Sequence, residues 1–530
     1  MNFSLAFKEW QALLGGSQVL DGEAASRTYG NDTSGSKKLV AAALLIQDSA
    51  TLQDVMRIAT KCLVPVYPIS TGQNWGYGSA LPATDGCVIV DLSRLTKIDF
   101  EAEFGIVTVE PGVTQGMLAD FLDADDHPFL VPVTGAGPTC SLLGNALERG
   151  YGVTPYVDHF GAVTDVEAVL PDGSLYRSAL REAGGVELAR LFKWGLGPYS
   201  NGLFTQSGFG IVTRLSIILA RRPECIKVCL FSLKDDALLE QTVVHIRSIT
   251  GRLAGTVGAF NLMNQRRVLS MTAPFPFDQL NPDGLVSEAV INRLGQHHHV
   301  LPWTGFGTLY GTRHMVAAAQ REITQTLKDT VTRLWFVTPQ RARQFASLAK
   351  WIPGKIGRGL QGMTSTLSNS LELVAGRPNE TALPLAYWRT GRLQMDSLKN
   401  PARDGCGLTW YAPLVPMRPT DVRAYVNMIK EVLPRHGMEP LITFTTLSDR
   451  LFDSTVPLLF DRDEPDALAA ASACYAELLY AGKKQGWFPY RVGIEAMPAL
   501  AKLMSNSGLF HERLRKDLDP HDILSPGRYR

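Results

Sequence analysis

The chain has 530 residues, 45% of them hydrophobic and 19% charged, enough for two or more domains and the balance of a globular rather than a disordered protein. A formal net charge of +1 supplies no global field toward nucleic acid or an anionic membrane, and no apolar run approaches the roughly 18 residues that span a bilayer. The seven cysteines are scattered and odd in number, which suits free thiols in a reducing cytoplasm better than a disulfide framework.

Phe3, Phe7, Trp10 and Leu14 recur at a helical period, with Ser4 as candidate cap, so the first residues read as an amphipathic docking helix and not as a leader peptide. Residues 48–61 predict a helix with Leu52, Val55, Met56 and Ala59 on one side. Residues 64–69 predict a short strand, and further strands are expected at 87–92, 106–110, 163–170 and 211–219, several closed by Pro-Gly or Pro-Asp-Gly turns. After Arg221-Arg222-Pro223 the patterns become longer and more charged, with a strand expected at Thr308-Leu309-Tyr310. From Trp487 the glycine and proline turns return, as in a chain that re-joins its first domain after a long insertion.

The strand at 64–69 runs into Ser70-Thr71-Gly72-Gln73-Asn74-Trp75-Gly76-Tyr77-Gly78, with three glycines, hydroxyls and no cation. Glycines let successive backbone N–H groups converge on an anion, and hydroxyls and amides add donors around it, so a pyrophosphate is a natural guest. The absence of Gly-Lys-Ser/Thr argues against ATP hydrolysis. Gly135-Ala136-Gly137-Pro138 imitates a dinucleotide fingerprint, but the third glycine is missing and a proline stands where the helix should offer N–H groups. His297-His298-His299 reads as a solvated or capping run, because adjacent residues splay apart; no metal site is expected. Cys225 and Cys229 read as core residues, and neither a Gly-x-Ser-x-Gly elbow nor a His-Glu-x-x-His helix is present. Asp158 lies in a Gly/Pro-rich loop, a surface turn unless that loop lines a cleft. Tyr490-Arg491 places a phenol beside a guanidinium, a clamp for a small phenolate or carboxylate or else a plain interface contact.

These segments stand in order with Val109-Glu110-Pro111-Gly112-Val113-Thr114 and Leu143-Gly144-Asn145-Ala146-Leu147-Glu148-Arg149-Gly150. They are followed by Thr154-Pro155-Tyr156-Val157-Asp158-His159-Phe160, Gly202-Leu203-Phe204-Thr205-Gln206-Ser207-Gly208-Phe209-Gly210-Ile211-Val212-Thr213 and Ser525-Pro526-Gly527-Arg528. Taken together they resemble the vanillyl-alcohol oxidase / para-cresol methylhydroxylase family of FAD flavoproteins, across almost the whole chain. The resemblance implies an α+β fold in which a two-part PCMH-type FAD-binding domain encloses an α+β cap domain with an antiparallel sheet. The FAD domain would take residues 1–223 (core about 37–222), the cap 224–486, and residues 487–530 would return to the FAD domain.

By the same resemblance, FAD would lie along Ile69, Ser70, Thr71, Gly72, Gln73, Asn74, Gly78, Ser79, Gly144, Asn145, Gly152, Asp158, Gly210, Ile211, Val212 and Arg528. The family's phenolate-binding trio falls on Tyr77, Tyr490 and Arg491, and its acid near flavin N5 falls on Asp158, as base or electrostatic partner. The implied reaction is hydride transfer from the para substituent of a phenol to flavin N5, through a para-quinone methide. The implied partners are a small aromatic substrate and either oxygen or a cytochrome-like acceptor, in a cytoplasmic homodimer.

Departures from the family pattern set further expectations. The usual flavin-linking positions fall on Ala386 and Leu408, which cannot form the bond, and Tyr387 stands one residue off, so non-covalent FAD is expected. An active-site glutamate falls near Ala382, and an acid and a histidine on the cap side fall on Thr443 and Phe452, so a less polar cap wall is expected. Three other readings stay open: the same flavin fold acting on a hydroxy acid, sugar or biosynthetic intermediate, a flavin-carrying subunit that passes electrons to a cytochrome, and a scaffold without catalysis.

Overall fold

The first helix, Phe3–Leu14, buries Ala6, Trp10 and Leu14. Its cap is Asn2, whose Oδ1 accepts the Leu5 amide at 3.2 Å, so Ser4 sits inside the first turn rather than capping it. Trp10 is fully buried and donates its indole N–H to the Val55 carbonyl at 3.2 Å, docking this helix on the next. The computed structural model describes residues 2–349, 354–392 and 398–529, the side chains within 354–363 and of Ser505 excepted.

The predicted helix over 48–61 divides into a 3-10 turn, Ser49–Thr51, capped by Asp48, and an α-helix, Leu52–Cys62, that buries Leu52, Val55, Met56 and Ala59. Leu63 then takes a left-handed φ of 55°, and the Val64 amide donates back to the Ala59 carbonyl at 2.9 Å. That helix exit delays the strand, which runs Val66–Ile69 instead of starting at Val64.

Strands Val19–Leu20, Val40–Leu45, Cys87–Asp91 and Val66–Ile69 form the first sheet in that order, the last three parallel. Cys87–Asp91 is buried at every position, as a central parallel strand should be. The chain end closes the edge: the Val66 amide donates to the Ile523 carbonyl and the Ser525 amide to the Val66 carbonyl, both at 2.8 Å. Ile523 and Leu524 enter the core with Leu44, Val55 and Val88. A second sheet, antiparallel throughout, orders Ile98–Glu101, Ile106–Val109, Ile211–Ile218, Val163–Val169 and Leu175–Arg177.

The third sheet is antiparallel and runs Arg333–Val337, Cys225–Leu233, Trp303–Gly311, Val257–Asn264, Thr443–Thr446, Leu451–Asp461, Cys406–Tyr411. None of its strands shares a sheet with a strand that precedes Arg222. One face carries Phe231, Phe260, Leu262, Phe444, Phe452, Val456 and Leu458, packed under helices Leu239–Arg252, Arg313–Leu327, Pro419–Arg435 and Pro465–Gln485. Alternation sends Asn261, Met263, Thr443, Thr445, Asp453, Leu459, Leu408 and Trp410 to the other face. Among the described residues no helix is long and apolar enough to cross a membrane, and all seven cysteine thiols are free.

The tail is part of the core. Leu524→Ala is expected to cost about 2–5 kcal/mol, as other buried leucine truncations do, and to lower the thermal unfolding midpoint. An unchanged midpoint would mean that the tail is not docked in solution.

Candidate flavin and substrate site

Strand Val66–Ile69 delivers the chain into a loop shaped by Gly72, Gly76 and Gly78, with φ of 68°, 79° and 118°. A Cβ on Gly76 would lie 2.2 Å from the Trp410 ring and one on Gly78 2.8 Å from Ile494, so both positions exclude a side chain on two grounds. The Gly76 amide donates to Thr33 Oγ1 at 2.8 Å, and its carbonyl accepts the Trp410 amide at 3.2 Å. The Tyr77 and Ser79 amides both return to the Asn74 carbonyl at 3.0 Å, while Gln73 Oε1 accepts Thr139 Oγ1 at 2.7 Å. The amides of Thr71, Gly72, Gln73 and Asn74 have no acceptor among the described residues. Free donors in succession on an uncharged turn form the nest that a pyrophosphate requires.

Gly144 and Asn145 lie in helix Leu142–Leu147, whose cap, Ser141, takes the Gly144 amide on Oγ at 2.9 Å. A Cβ on Gly144 would come within 3.0 Å of Ser70 Oγ, so this helix and the loop pack without room between them. Asn145 Nδ2 lies 2.5 Å from Nδ1 of His159, a buried imidazole whose pKa burial pushes down to about 4. A Cβ on Gly152 would sit 2.3 Å from His159 Nε2. Gly210 backs onto Phe204, and Ile211 and Val212 open the buried strand Ile211–Ile218. Arg528 comes from the tail, donates to the Tyr67 hydroxyl at 3.0 Å and pairs with Glu148. Ser79 Oγ, His159 Nε2 and Arg528 Nε are buried without partners among the described residues. Unpaired donors on both sides of the free amides fit FAD.

Tyr77, at the end of the loop, meets Tyr490 and Arg491. Hydrogen bonds from the Leu414 amide to the Phe488 carbonyl (2.9 Å) and from the Tyr490 amide to the Ala412 carbonyl (3.3 Å) pin this segment to the edge of the third sheet. The Arg491 guanidinium lies over the Tyr77 ring, 3.8 Å from its centroid, and donates to Asn74 Oδ1 at 2.5 Å. The Tyr490 hydroxyl lies beside that of Tyr77 and pulls the Tyr77 pKa down, and Tyr151 packs edge-on against Tyr490 at 5.2 Å. Burial raises the Tyr77 and Tyr490 pKa values, while the adjacent Arg491 charge pulls both down. Burial opposes the Arg491 charge, and the oxygens of Tyr77, Tyr490 and Glu148 outweigh it, leaving its pKa raised.

The structure thus brings together Tyr77, Tyr490 and Arg491, and adds Asn74. Asp158, bridged to Tyr151 on the neighbouring loop, is exposed, with Oδ1 taking the Gly161 amide at 2.9 Å. The acid nearest in effect to the trio is Asp453, which sequence reasoning missed. Asp453 is 4% exposed, and its pKa is pushed up to about 7 by burial against the pull of Arg491. Phe452, the position expected to replace a histidine in the pocket, lies on the helix-covered face with its ring 5.1 Å from Phe444. One residue of offset on a strand exchanges faces, so the cap wall carries a carboxyl where an apolar surface was expected. Thr443 does face the site side, its hydroxyl unpartnered among the described residues.

Ala386 and Leu408 are buried in one apolar cluster with Tyr387, whose hydroxyl donates to Asp404 Oδ2 at 2.6 Å. Ala382 packs on the loop at Gly135, where an added Cβ would lie 3.0 Å away. His297 ends the helix Glu288–His297 and His298 caps it; no metal-binding group occurs among the described residues.

These features define a flavoprotein with an aromatic, cation-bearing pocket beside its cofactor cradle. The chain belongs to the vanillyl-alcohol oxidase / p-cresol methylhydroxylase family of FAD flavoproteins, and is an FAD-dependent oxidoreductase. The FAD binding domain family matches residues 40–179. The chain is 33% identical to 1'-carboxy-chondrochloren decarboxylase of Chondromyces crocatus, over 99% of this chain and 96% of that protein. It is 27% identical to the 4-cresol dehydrogenase [hydroxylating] flavoprotein subunit of Pseudomonas putida, over 99% and 95%. The structure of p-cresol methylhydroxylase with substrate bound superimposes with a TM-score of 0.87 at 26% identity, covering 100% of this chain and 96% of that one.

Two outcomes follow from this geometry. Gly76→Ala is expected to lose flavin, because left-handed backbone costs a non-glycine residue roughly 1–2 kcal/mol and the methyl group also strikes Trp410; a purified variant with full flavin absorbance would contradict this. An acid whose folded pKa is raised binds its proton more tightly in the folded state, so Asp453 takes away stability as pH climbs from its unfolded pKa, about 4, toward about 7. Asp453→Asn should therefore flatten that part of the stability–pH curve, as read by denaturant midpoints; an unchanged slope would remove Asp453 as its cause.

Proposed function

We propose that the protein oxidises a para-substituted phenol, of the 4-alkylphenol or 4-hydroxybenzyl alcohol type. When bound, FAD supplies the acceptor for the hydride that leaves the para substituent. The observation that carries this reading is the clamp, a buried guanidinium 3.8 Å from the Tyr77 ring centroid with the Tyr77 and Tyr490 hydroxyls beside it. A cation and two hydroxyl donors favour the phenolate over the phenol. Electron push from that oxygen through the ring weakens the C–H bond on the substituent carbon attached at the para position, and hydride loss from that carbon leaves a para-quinone methide that adds water or loses a proton. Because Tyr77 closes the loop with the free amides, the clamp is fixed relative to the cofactor cradle. Asp158, on the loop after Gly152, is assigned as an electrostatic partner at the cleft.

FAD is held without a covalent link in this reading, supported by Ala386, Leu408 and the engagement of the Tyr387 hydroxyl by Asp404. Acid precipitation should leave the yellow colour in the supernatant; colour in the pellet would show a covalent bond. The electron acceptor is oxygen or a cytochrome-like protein, separated by comparing turnover with oxygen and with an artificial acceptor. A cytoplasmic homodimer is supported by the free thiols and by the family resemblance, and sizing of the purified protein tests the dimer.

A second reading places a carboxylate on the substrate's side chain. The similarity to a decarboxylase favours it, as does Arg267, buried with Nε unpartnered among the described residues and its pKa drawn down to about 10 by burial alone. Loss of CO2 from the second carbon of the para substituent would then turn its bonding pair into a double bond to the first, and return the quinone methide's electrons to the phenolic oxygen.

Anaerobic mixing with a panel of 4-alkylphenols should bleach the flavin, and 2-hydroxy acids should not. Arg491→Met removes charge-assisted bonds of about 1.5–3 kcal/mol, so kcat/KM should fall by roughly 10- to 150-fold. If no phenol bleaches the wild-type flavin, the phenol reading fails.

A further inference from the structure

The site-facing side of the third sheet holds a row of polar residues that the clamp does not use. Strand register places Asn261 opposite Thr445 and Thr445 opposite Asp453, with Leu414 beyond. Thr445 Oγ1 donates to Asn261 Oδ1 at 2.8 Å. Asp453 Oδ1, Asn261 Nδ2 and Thr443 Oγ1 are buried and have no hydrogen-bond partner among the described residues. Each unpaired buried polar group costs about 1–3 kcal/mol, and these three come from one face of adjacent strands, so the wall is built to meet a polar ligand.

The charge that acts on Asp453 is Arg491, and Asp453 in turn raises the phenol pKa values of the tyrosines around it: Tyr77 from the loop at 70–78, Tyr490 from the returning segment, Tyr151 from the loop before Asp158, and Tyr425 from helix Pro419–Arg435. Its strand neighbours Thr445 and Leu414 bring no charge. Arg491 spends its hydrogen bond on Asn74 and makes no ion pair with Asp453, so the carboxylate is not locked into a salt bridge. It lies within reach of the Arg491 field while keeping an oxygen open.

We propose that Asp453 is the catalytic base of this site, taking the proton that the substrate's phenol gives up as it enters the Tyr77–Tyr490–Arg491 clamp; the assignment rests on the phenol reading above. In the step, the phenolic O–H bond breaks and the proton passes to Asp453 Oδ1. The electron pair stays on the phenolic oxygen, held by the Arg491 charge and the Tyr77 and Tyr490 hydroxyls. No electron leaves the substrate here; oxidation follows from the phenolate. Burial brings the Asp453 pKa to about 7, while a free phenol titrates near about 10 and falls toward the acid's range beside a cation. A base matched to neutral pH is what proton abstraction from a bound phenol calls for.

The test uses the flavin-loaded protein with 4-chlorophenol, which has no hydrogen on a para carbon to give up, and with 4-ethylphenol as substrate. At a pH between the two pKa values, about 8, wild type should show the absorption of bound chlorophenolate with no net proton release to an indicator dye. One proton released per bound phenolate, or binding as neutral phenol, overturns the assignment. In Asp453→Asn the rise of bound phenolate should move away from about 7 to a midpoint set by Arg491 and the two hydroxyls alone, with one proton released to the dye per phenolate, and flavin bleaching by 4-ethylphenol at pH 7 should slow by about 100-fold, with KM changed only a few-fold. Asp453→Glu should restore the neutral-pH rise. An Asn variant with the wild-type pH profile removes Asp453 alone, since wild type would still bind and oxidise phenols. Failure of wild type with both phenols defeats the phenol reading and this assignment together. The proton count on wild type decides the matter even if the Asn variant does not fold.

Discussion

A guanidinium buried among phenol rings organises this protein. Stripped of water, the Arg491 charge needs compensation that a single carboxylate does not provide here; it is met by the Tyr77 face, the Asn74 amide oxygen and the surrounding oxygens. The charge and the groups that meet it come from two distant parts of the chain. Asn74 and Tyr77 belong to the loop that leaves Ile69, while Arg491 stands on the segment that re-enters from the cap sheet through Ala412 and Leu414. The charge is therefore also a joint, and the loop with the free amides cannot shift without moving the clamp.

That joint explains the glycine placement. Gly76 lets the loop backbone lie on the Trp410 ring of the third sheet, and Gly78 lets it lie on the Ile494 side chain, so on the loop's side these contacts are made by backbone. Gly144 serves the same purpose against Ser70 on the other flank. Contacts of this kind are stiff, since backbone has no rotamers with which to adapt, and stiffness is what a reaction between two separately held partners requires.

Much of this was legible in the chain, wherever the chemistry is contiguous. The loop at 69–78 and the pair Tyr490-Arg491 carry their signal in adjacent residues, and the apolar runs at 87–92 and 211–219 mark strands that are indeed central. What stayed hidden depends on facing and on distant partners. Asp453 was passed over for Phe452 because a strand shows its two neighbours to opposite sides, and nothing local says which side is the pocket. The engagement of Tyr387 by Asp404, 17 residues on, and of Arg528 by Glu148, 380 residues back, likewise needs the fold. The delay of the first strand to Val66 follows from a left-handed Leu63, a position where leucine gives no warning.

The pairing of Ile523 and Ser525 with Val66 also bears on folding. Ile523, Leu524 and Ser525 lie beside the strand that runs into the loop at 70–78, and Arg528 braces Glu148 next to the helix of Gly144. About 450 residues separate Val66 from these partners in sequence, so closing the contact costs more chain entropy than the local pairings of the same sheet. The edge of that strand is therefore among the slower parts of the fold to close, and until it does the loop lacks the neighbours that hold it in place.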